Sequence, residues 1–277
     1  MALLNQKHNI YIQEGALYRS RLRASAKRLN TKPQHTYIFS PPGLGKTYTI
    51  EDEFAKNNTQ YIQIKGNTSL WGFIVDMAQI VSAAQGHKIT VFVDDCDTLL
   101  ASTDSVNTLK IMLADNVLAY RKSLGAQFAQ LDEDQQDCMN QFRSPDRNGI
   151  EIPMGNITVV WCSNYKLADQ KMTANVKSET KAQKYMHEEA LRRRMRVLDY
   201  DVAGDIKWGW IADCVLNESP PSMVNATDSE RDEILYWMHS NWLALKEHNI
   251  PFAEKLYDEM VTDPAGYSTV WELDYLV

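Results

Sequence analysis

Sulfur chemistry is sparse in this 277-residue chain: Cys96, Cys138, Cys162 and Cys214 lie far apart, with no C-x-x-C pair. That spacing excludes a disulfide scaffold, and reduced thiols are the expectation. Long apolar runs are missing too. None approaches the ~20 residues of a membrane-spanning helix, and the stretch from Met1 to Ile10 has no signal-type apolar region. A cytoplasmic protein without a membrane partner is therefore expected. The six histidines are scattered. His187-Glu188 begins a zincin-like pattern, but Leu191 stands where the second ligand belongs, which excludes that metal site. Positive charge is not in excess either: the formal net charge of −7 argues against wholesale coating of nucleic acid.

What is present is the composition of an ordinary globular chain, 44% hydrophobic and 23% charged. The length suffices for a full core and a smaller second unit. Charge is unevenly placed. Residues 1–35 hold Lys7, Arg19, Arg21, Arg23, Lys27, Arg28 and Lys32 against the single acid Glu14. Two readings fit this arm, a solvated helical face or a surface meeting an acidic neighbour or a phosphate backbone.

The chain is organised around residues 36–49. A short apolar run, Tyr37-Ile38-Phe39, enters Ser40-Pro41-Pro42-Gly43-Leu44-Gly45-Lys46-Thr47, and a helical pattern with Ile50 and Phe54 one turn apart follows. Strand, tight loop and helix start are the context of a phosphate-binding P-loop. Loop N–H groups and a helix N-terminus favour an anion at one spot. Lys46 can reach β- and γ-phosphates, Thr47 can ligate Mg²⁺, and Gly43 and Gly45 let the backbone approach the phosphates. Ser40 replaces the first glycine of G-x-x-x-x-G-K-[ST], a mild departure because N–H groups make the phosphate contacts.

Before the loop, residues 9–30 read as a helix broken by Asn30-Thr31-Lys32-Pro33. After it, residues 60–65 alternate as a strand and residues 69–85 carry a helical apolar face. Trp71 in that helix fits core packing, or an aromatic facing a pore. Ile89-Thr90-Val91-Phe92-Val93-Asp94-Asp95-Cys96-Asp97 is an apolar β-branched run ending in acids, the Walker B layout. Buried parallel strands deliver such carboxylates to the edge where α/β folds bind ligands. Asp94 would hold Mg²⁺ opposite Thr47, and Asp95 would polarise the attacking water, one methylene shorter than the usual glutamate.

Residues 106–122 read as a helix and 125–149 as a polar insertion, a loop or hairpin closed by turn chemistry at Ser144-Pro145-Asp146-Arg147-Asn148-Gly149. The strand Ile157 to Cys162 ends in Ser163-Asn164, where Asn164 can hold the nucleophilic water or a γ-phosphate. A helix over 183–195 ends in Arg192-Arg193-Arg194 before a strand over 197–202. Helices are then expected over 204–216, over 229–247 with Ser229 and Asp232 at capping-box spacing, and from Pro251 onward. Five of the seven tryptophans, Trp208, Trp210, Trp237, Trp242 and Trp271, fall in this last part, which reads as core packing.

The Ser40–Thr47 motif, then Val91-Phe92-Val93-Asp94-Asp95-Cys96-Asp97, then Cys162-Ser163-Asn164, then Ala190-Leu191-Arg192-Arg193-Arg194-Met195 resembles an AAA+ ATPase. The resemblance covers residues 36–203 by motif and 204–277 more loosely. It implies an α/β P-loop core with a five-stranded parallel sheet of order 5-1-4-3-2 and a small C-terminal α-helical lid. The organisation expected is a basic helical segment (1–35), a nucleotide-binding core (36–203) and a lid (204–277). ATP and Mg²⁺ would lie between the subunits of a homo-oligomeric ring, usually a hexamer. The nucleotide-binding stretch would be Pro42, Gly43, Leu44, Gly45, Lys46, Thr47 and Tyr48. Asn164 matches sensor 1, and Arg193 and Arg194 match arginine fingers reaching a neighbour's ATP. A guanidinium arriving in trans would couple hydrolysis to assembly. Met195 replaces the family's aromatic, and no arginine stands in 249–255, where the family often has a sensor 2; Lys255 is the basic residue there. The expected function is ATP hydrolysis coupled to remodelling or loading of an unidentified protein or nucleic-acid partner. The alternative is an ATP-gated assembly scaffold with slow hydrolysis.

Overall fold

The computed structural model describes residues 3–121, 124–144 and 149–276. Helix α1 (Gln6–Thr31) precedes β1 (Thr36–Phe39), α2 (Lys46–Lys56), β2 (Tyr61–Lys65), α3 (Leu70–Ala84) and β3 (Ile89–Asp94). A 3₁₀ turn (Asp97–Leu100) leads to α4 (Thr103–Asp115), β4 (Val117–Tyr120), α5 (Gly125–Ala129), α6 (Glu133–Asn140) and β5 (Ile150–Pro153). Then come β6 (Ile157–Ser163), α7 (Gln170–Ala174), α8 (Glu179–Arg192) and β7 (Arg196–Asp199). The chain finishes with α9 (Gly204–Asn217), α10 (Asp228–Ser240), α11 (Ile250–Thr262) and α12 (Tyr267–Asp274). Two compact units result. One holds Lys27–Phe39 and Phe54–Asp199; the other holds Met1–Ala26, Ser40–Glu53 and Tyr200–Val277.

The first unit is built on a five-stranded parallel sheet in the order β2-β3-β6-β1-β7. Its central strands are near-continuous apolar runs because both faces are covered: Tyr37, Ile38, Val91, Phe92, Val93, Val159 and Val160 are fully buried. Edge strand β2 is less covered, with Ile64 buried, Tyr61 and Gln63 half-buried, and Ile62 and Lys65 exposed. Helix α3 adds Phe73, Ile74 and Met77 to the same core, and Trp71 packs on it with its ring 5.2 Å from that of Tyr120. Ser69 caps α3 by accepting from Gly72 N at 3.0 Å.

Counted along the whole chain, the strand order differs from the expected 5-1-4-3-2 and runs 7-1-6-3-2. The physical reason is an extra antiparallel pair, β4 with β5, formed between the third and fourth strands of the sheet and outside it. The helix expected over 106–122 is correspondingly short. Asn116 adopts a left-handed conformation (φ +53) and ends α4. Leu118 and Tyr120 then turn one face inward with the period of a strand. Residues 145–148 of the expected turn lie outside the described residues; its ends meet, Ser144 N donating to Gly149 O at 3.0 Å.

In the second unit, the N-terminal part of α1 crosses α9 at two glycines. A Cβ on Gly15 would lie 2.2 Å from the Gly209 carbonyl carbon, and one on Gly209 would lie 1.9 Å from Tyr11 O. Only glycine permits such backbone approach. Trp208, Trp210 and Trp271 are fully buried here, and Trp208 Nε1 donates to Leu235 O at 3.1 Å. Trp237 and Trp242 are half-buried. Helix α10 is capped by Thr227 and Glu230 rather than Ser229 and Asp232. Thr227 accepts from Glu230 N at 3.3 Å, and the Glu230 carboxylate accepts from Thr227 N at 2.7 Å. Glu230 has the extra methylene that this reciprocal reach requires. Arg19 is buried and paired with Asp213 and Glu218, while Arg23 joins Asp52 and Glu53 of α2 to Glu218. These two members of the basic arm are committed inside the chain.

Candidate functional site

The loop 40–45 continues the chain from β1 into α2. Gly43 and Gly45 take left-handed φ values of +72° and +71°, which L side chains rarely adopt. Helix α2 begins at Lys46, and no acidic residue occupies its first turn to oppose an anion. Lys46 is only 6% exposed and donates from Nζ to Ser40 O at 3.0 Å and to Pro41 O at 3.4 Å. Leu44 anchors the loop in the core, Thr47 is half-buried, and Pro42 and Tyr48 are exposed. Ser40 is fully buried and donates to Pro41 O at 3.0 Å, so its side chain serves the loop itself.

The absence of a side chain at Gly43 also makes room for a neighbouring segment. The place of its missing Cβ is filled by Asn249, whose own Cβ would be 2.2 Å away. Next to it, Ile250 N donates to Gly43 O at 2.9 Å. Lys255, the basic residue of that segment, rests on the Tyr275 ring at 4.5 Å.

In the sheet unit, β3, β6 and β1 end together: Asp94 is in register with Cys162, and Phe39 with Ser163. Asp94 is 1% exposed, with Lys65 Nζ of the neighbouring strand 3.9 Å from Oδ2. Asp95 sits at φ +54, a conformation that aspartate and asparagine tolerate better than other side chains. The turn this produces leaves its carboxylate exposed, where it accepts from Asn164 Nδ2 at 3.2 Å. Asp97 fixes the other strand end, accepting from Ser163 Oγ and from Asn164 N, the latter at 3.2 Å. Cys96, between the acids, is buried, and burial with the nearby Asp94 pushes its thiol up to about 12. It is an inert thiol.

Arg193 and Arg194 stand elsewhere. They follow α8 and precede β7, so they lie at the sheet edge opposite Asp95 and Asn164. With His35, Asn116, Thr158 and Arg196 they line a cavity of about 610 Å³. Arg193 remains 70% exposed while paired with Glu189, and Arg194 Nη1 donates to Ala190 O at 2.6 Å. Within the sheet unit, then, Asp94, Asp95 and Asn164 share one edge and the two arginines the other.

Sequence reading missed Asp97 and Lys65 beside the acids of the sheet unit, and separately Asn249 and Ile250 beside the glycine loop of the other unit. Asp97 was legible as a third acid two residues beyond Asp95, but its role depends on the pairing of β3 with β6. Among the described residues, no group of three or more His, Cys, Asp or Glu could hold a metal. Magnesium needs none, because one or two protein oxygens with phosphates and water complete its shell. No protein-family model and no curated protein matches the chain. Among the described residues, no helix is long and apolar enough to cross a membrane.

Proposed function

We propose that this chain is an AAA+ module that binds and hydrolyses ATP in a homo-oligomeric ring and couples hydrolysis to remodelling or loading a macromolecular partner. Residues Pro42 to Tyr48 form the P-loop of this reading, with Lys46 on the β- and γ-phosphates. Thr47 and Asp94 are its Mg²⁺ ligands. Asp95 polarises the attacking water, Asn164 holds it in line, and Arg193 and Arg194 act on the ATP of a neighbouring copy. The C-terminal helices are its lid.

The observation that carries the reading is the loop 40–46: two glycines at positive φ, a buried lysine, and a helix start without acids. Backbone amides gathered this way favour a phosphate. The Asn164–Asp95 hydrogen bond supports the hydrolytic half, since it joins a carboxylate to a polar group able to orient water. The place of Arg193 and Arg194 at the opposite sheet edge supports action in trans.

Calorimetry with ATP and Mg²⁺ tests binding, and molar mass with a slowly hydrolysed ATP analogue tests assembly. Heat of binding and a nucleotide-dependent rise in mass are expected; no heat would overturn the reading. A second reading, an ATP-gated scaffold with slow hydrolysis, draws on Asp95 standing where a longer glutamate is usual. Turnover near background in the wild type, Lys46→Ala and Asp95→Asn alike, with ATP still bound by the wild type, would decide for the scaffold.

A further inference from the structure

We infer that Asn249 and Ile250, at the N-terminus of α11, are positioning residues that hold the loop 43–47 in its anion-accepting shape. The inference rests on the nucleotide-binding role proposed for that loop. Two contacts carry it, both made to Gly43. Ile250 N–H donates to Gly43 O at 2.9 Å, which fixes the orientation of the peptide plane between Gly43 and Leu44. The Asn249 Cβ fills the space a side chain at residue 43 would need, so it limits the excursions of a glycine that otherwise has the widest conformational freedom of any residue. Ile250, 8% exposed, closes the contact by placing Cδ1 at 3.5 Å from the Cβ position of Gly45.

Asn249 is itself held rigidly. Its Oδ1 accepts from Phe252 N at 2.7 Å as the cap of α11, and its Nδ2 donates to Glu247 at 3.2 Å. Phe252, Ala253 and Leu256 bury the same helix. The glycine loop therefore leans on a fixed helix end at Gly43, while Lys46 Nζ holds its start through Ser40 O and Pro41 O. A loop whose amides already point at one spot loses less entropy on taking up phosphate. Helix α11 thereby sets nucleotide affinity without being required to touch the nucleotide.

The test uses two pairs of variants of the full chain. Ile250→Pro and Ile250→Ala both lose the isoleucine Cδ1 that faces Gly45, but only the proline removes the N–H. Position 250 is the first residue of α11, where proline is tolerated, and Asn249 is already extended at φ −151° and ψ 168°. Asn249→Gly and Asn249→Ala both lose the cap, but only glycine removes the Cβ. Amide hydrogen exchange of residues 43–49 without nucleotide is expected to be about tenfold faster in each first variant than in its partner. ATP affinity is expected to fall about tenfold in the same comparisons, with KM raised and kcat within about twofold. Equal loop exchange within both pairs would overturn the inference. If Ile250→Pro does not fold, the Asn249 pair decides. A wild type that binds no ATP would sink the nucleotide reading alone, while the exchange comparison would still decide whether α11 positions the loop.

Discussion

Asn164 reaches across from the end of β6 to the end of β3 and donates from Nδ2 to Asp95 Oδ1 at 3.2 Å. Because Asp95 is left-handed, its best probe is Asp95→Asn, which keeps the backbone while removing the charge. Turnover is expected to fall about 100-fold, with ATP affinity within about threefold of the wild type. Asn164→Ala should fall in the same direction, and the double variant should be no worse than the lower single one, because contacting residues do not add. Phosphate release beside ATP titration measures all three. Wild-type turnover in Asp95→Asn would remove the residue from the proposed chemistry.

The separation of Arg193 and Arg194 from Asp95 leads to a mixing experiment. On the proposed reading, Lys46→Ala lacks a competent P-loop, and the double variant Arg193→Ala/Arg194→Ala lacks fingers. Each alone is expected to hydrolyse ATP near background, since an arginine finger is worth ~10³–10⁵ in rate. Mixed in equal amounts they should regain turnover, because a finger from one copy can serve the intact loop of the other. A mixture no faster than its parts would refute action in trans.

Arg19 is 5% exposed and holds Asp213, 8% exposed, together with Glu218. Arg19→Met keeps an apolar stem but strands the Asp213 carboxylate, leaving it Asn217 Nδ2 at 2.7 Å. Removing one partner of a buried pair costs about 3 kcal/mol. A lower urea midpoint with an unchanged slope is therefore expected, and an unshifted midpoint would show the pair to be dispensable.

His8 makes stability depend on pH. Its Nδ1 accepts from Asn5 N at 3.0 Å, which assigns the proton to Nε2, 3.2 Å from His239 Nδ1. His239 in turn lies 3.5 Å from Asp205 Oδ1. Burial, then the neighbouring His239 and Lys7, lower the His8 pKa below 6.5, and Asp205 opposes them more weakly. Folding favours the neutral ring, so this stabilisation is complete above about pH 6.5 and is lost as pH falls through the lowered value. The melting temperature should drop between pH 7.5 and 5, and His8→Gln should flatten that drop. An equally steep profile in His8→Gln would assign the pH dependence to other groups.

The sheet was legible because its strands are short β-branched runs buried on both faces; Ile89 to Asp94 and Ile157 to Ser163 state their own length and ends. The polar ends of those strands were legible for the same reason, since an acid or amide terminating a buried run must emerge at one edge. Less visible was β4: residues 117–120 continue a helical pattern in sequence, and only Asn116 turning left-handed and pairing with β5 makes them a strand. The Thr227–Glu230 box was missed by two residues, a displacement within the usual uncertainty of helix ends.

By itself, then, the sequence determined the periodicities, the loop 40–47 with its lysine, and the order of acids, amide and arginines along the chain. Tertiary structure alone decided what those residues touch. It paired Asn164 with Asp95, sent Arg193 and Arg194 to the far edge, and filled the empty side of Gly43 with Asn249. The reason is physical: backbone propensity and burial act over a few neighbouring residues, whereas Gly43 and Asn249 are adjacent only after α11 has packed.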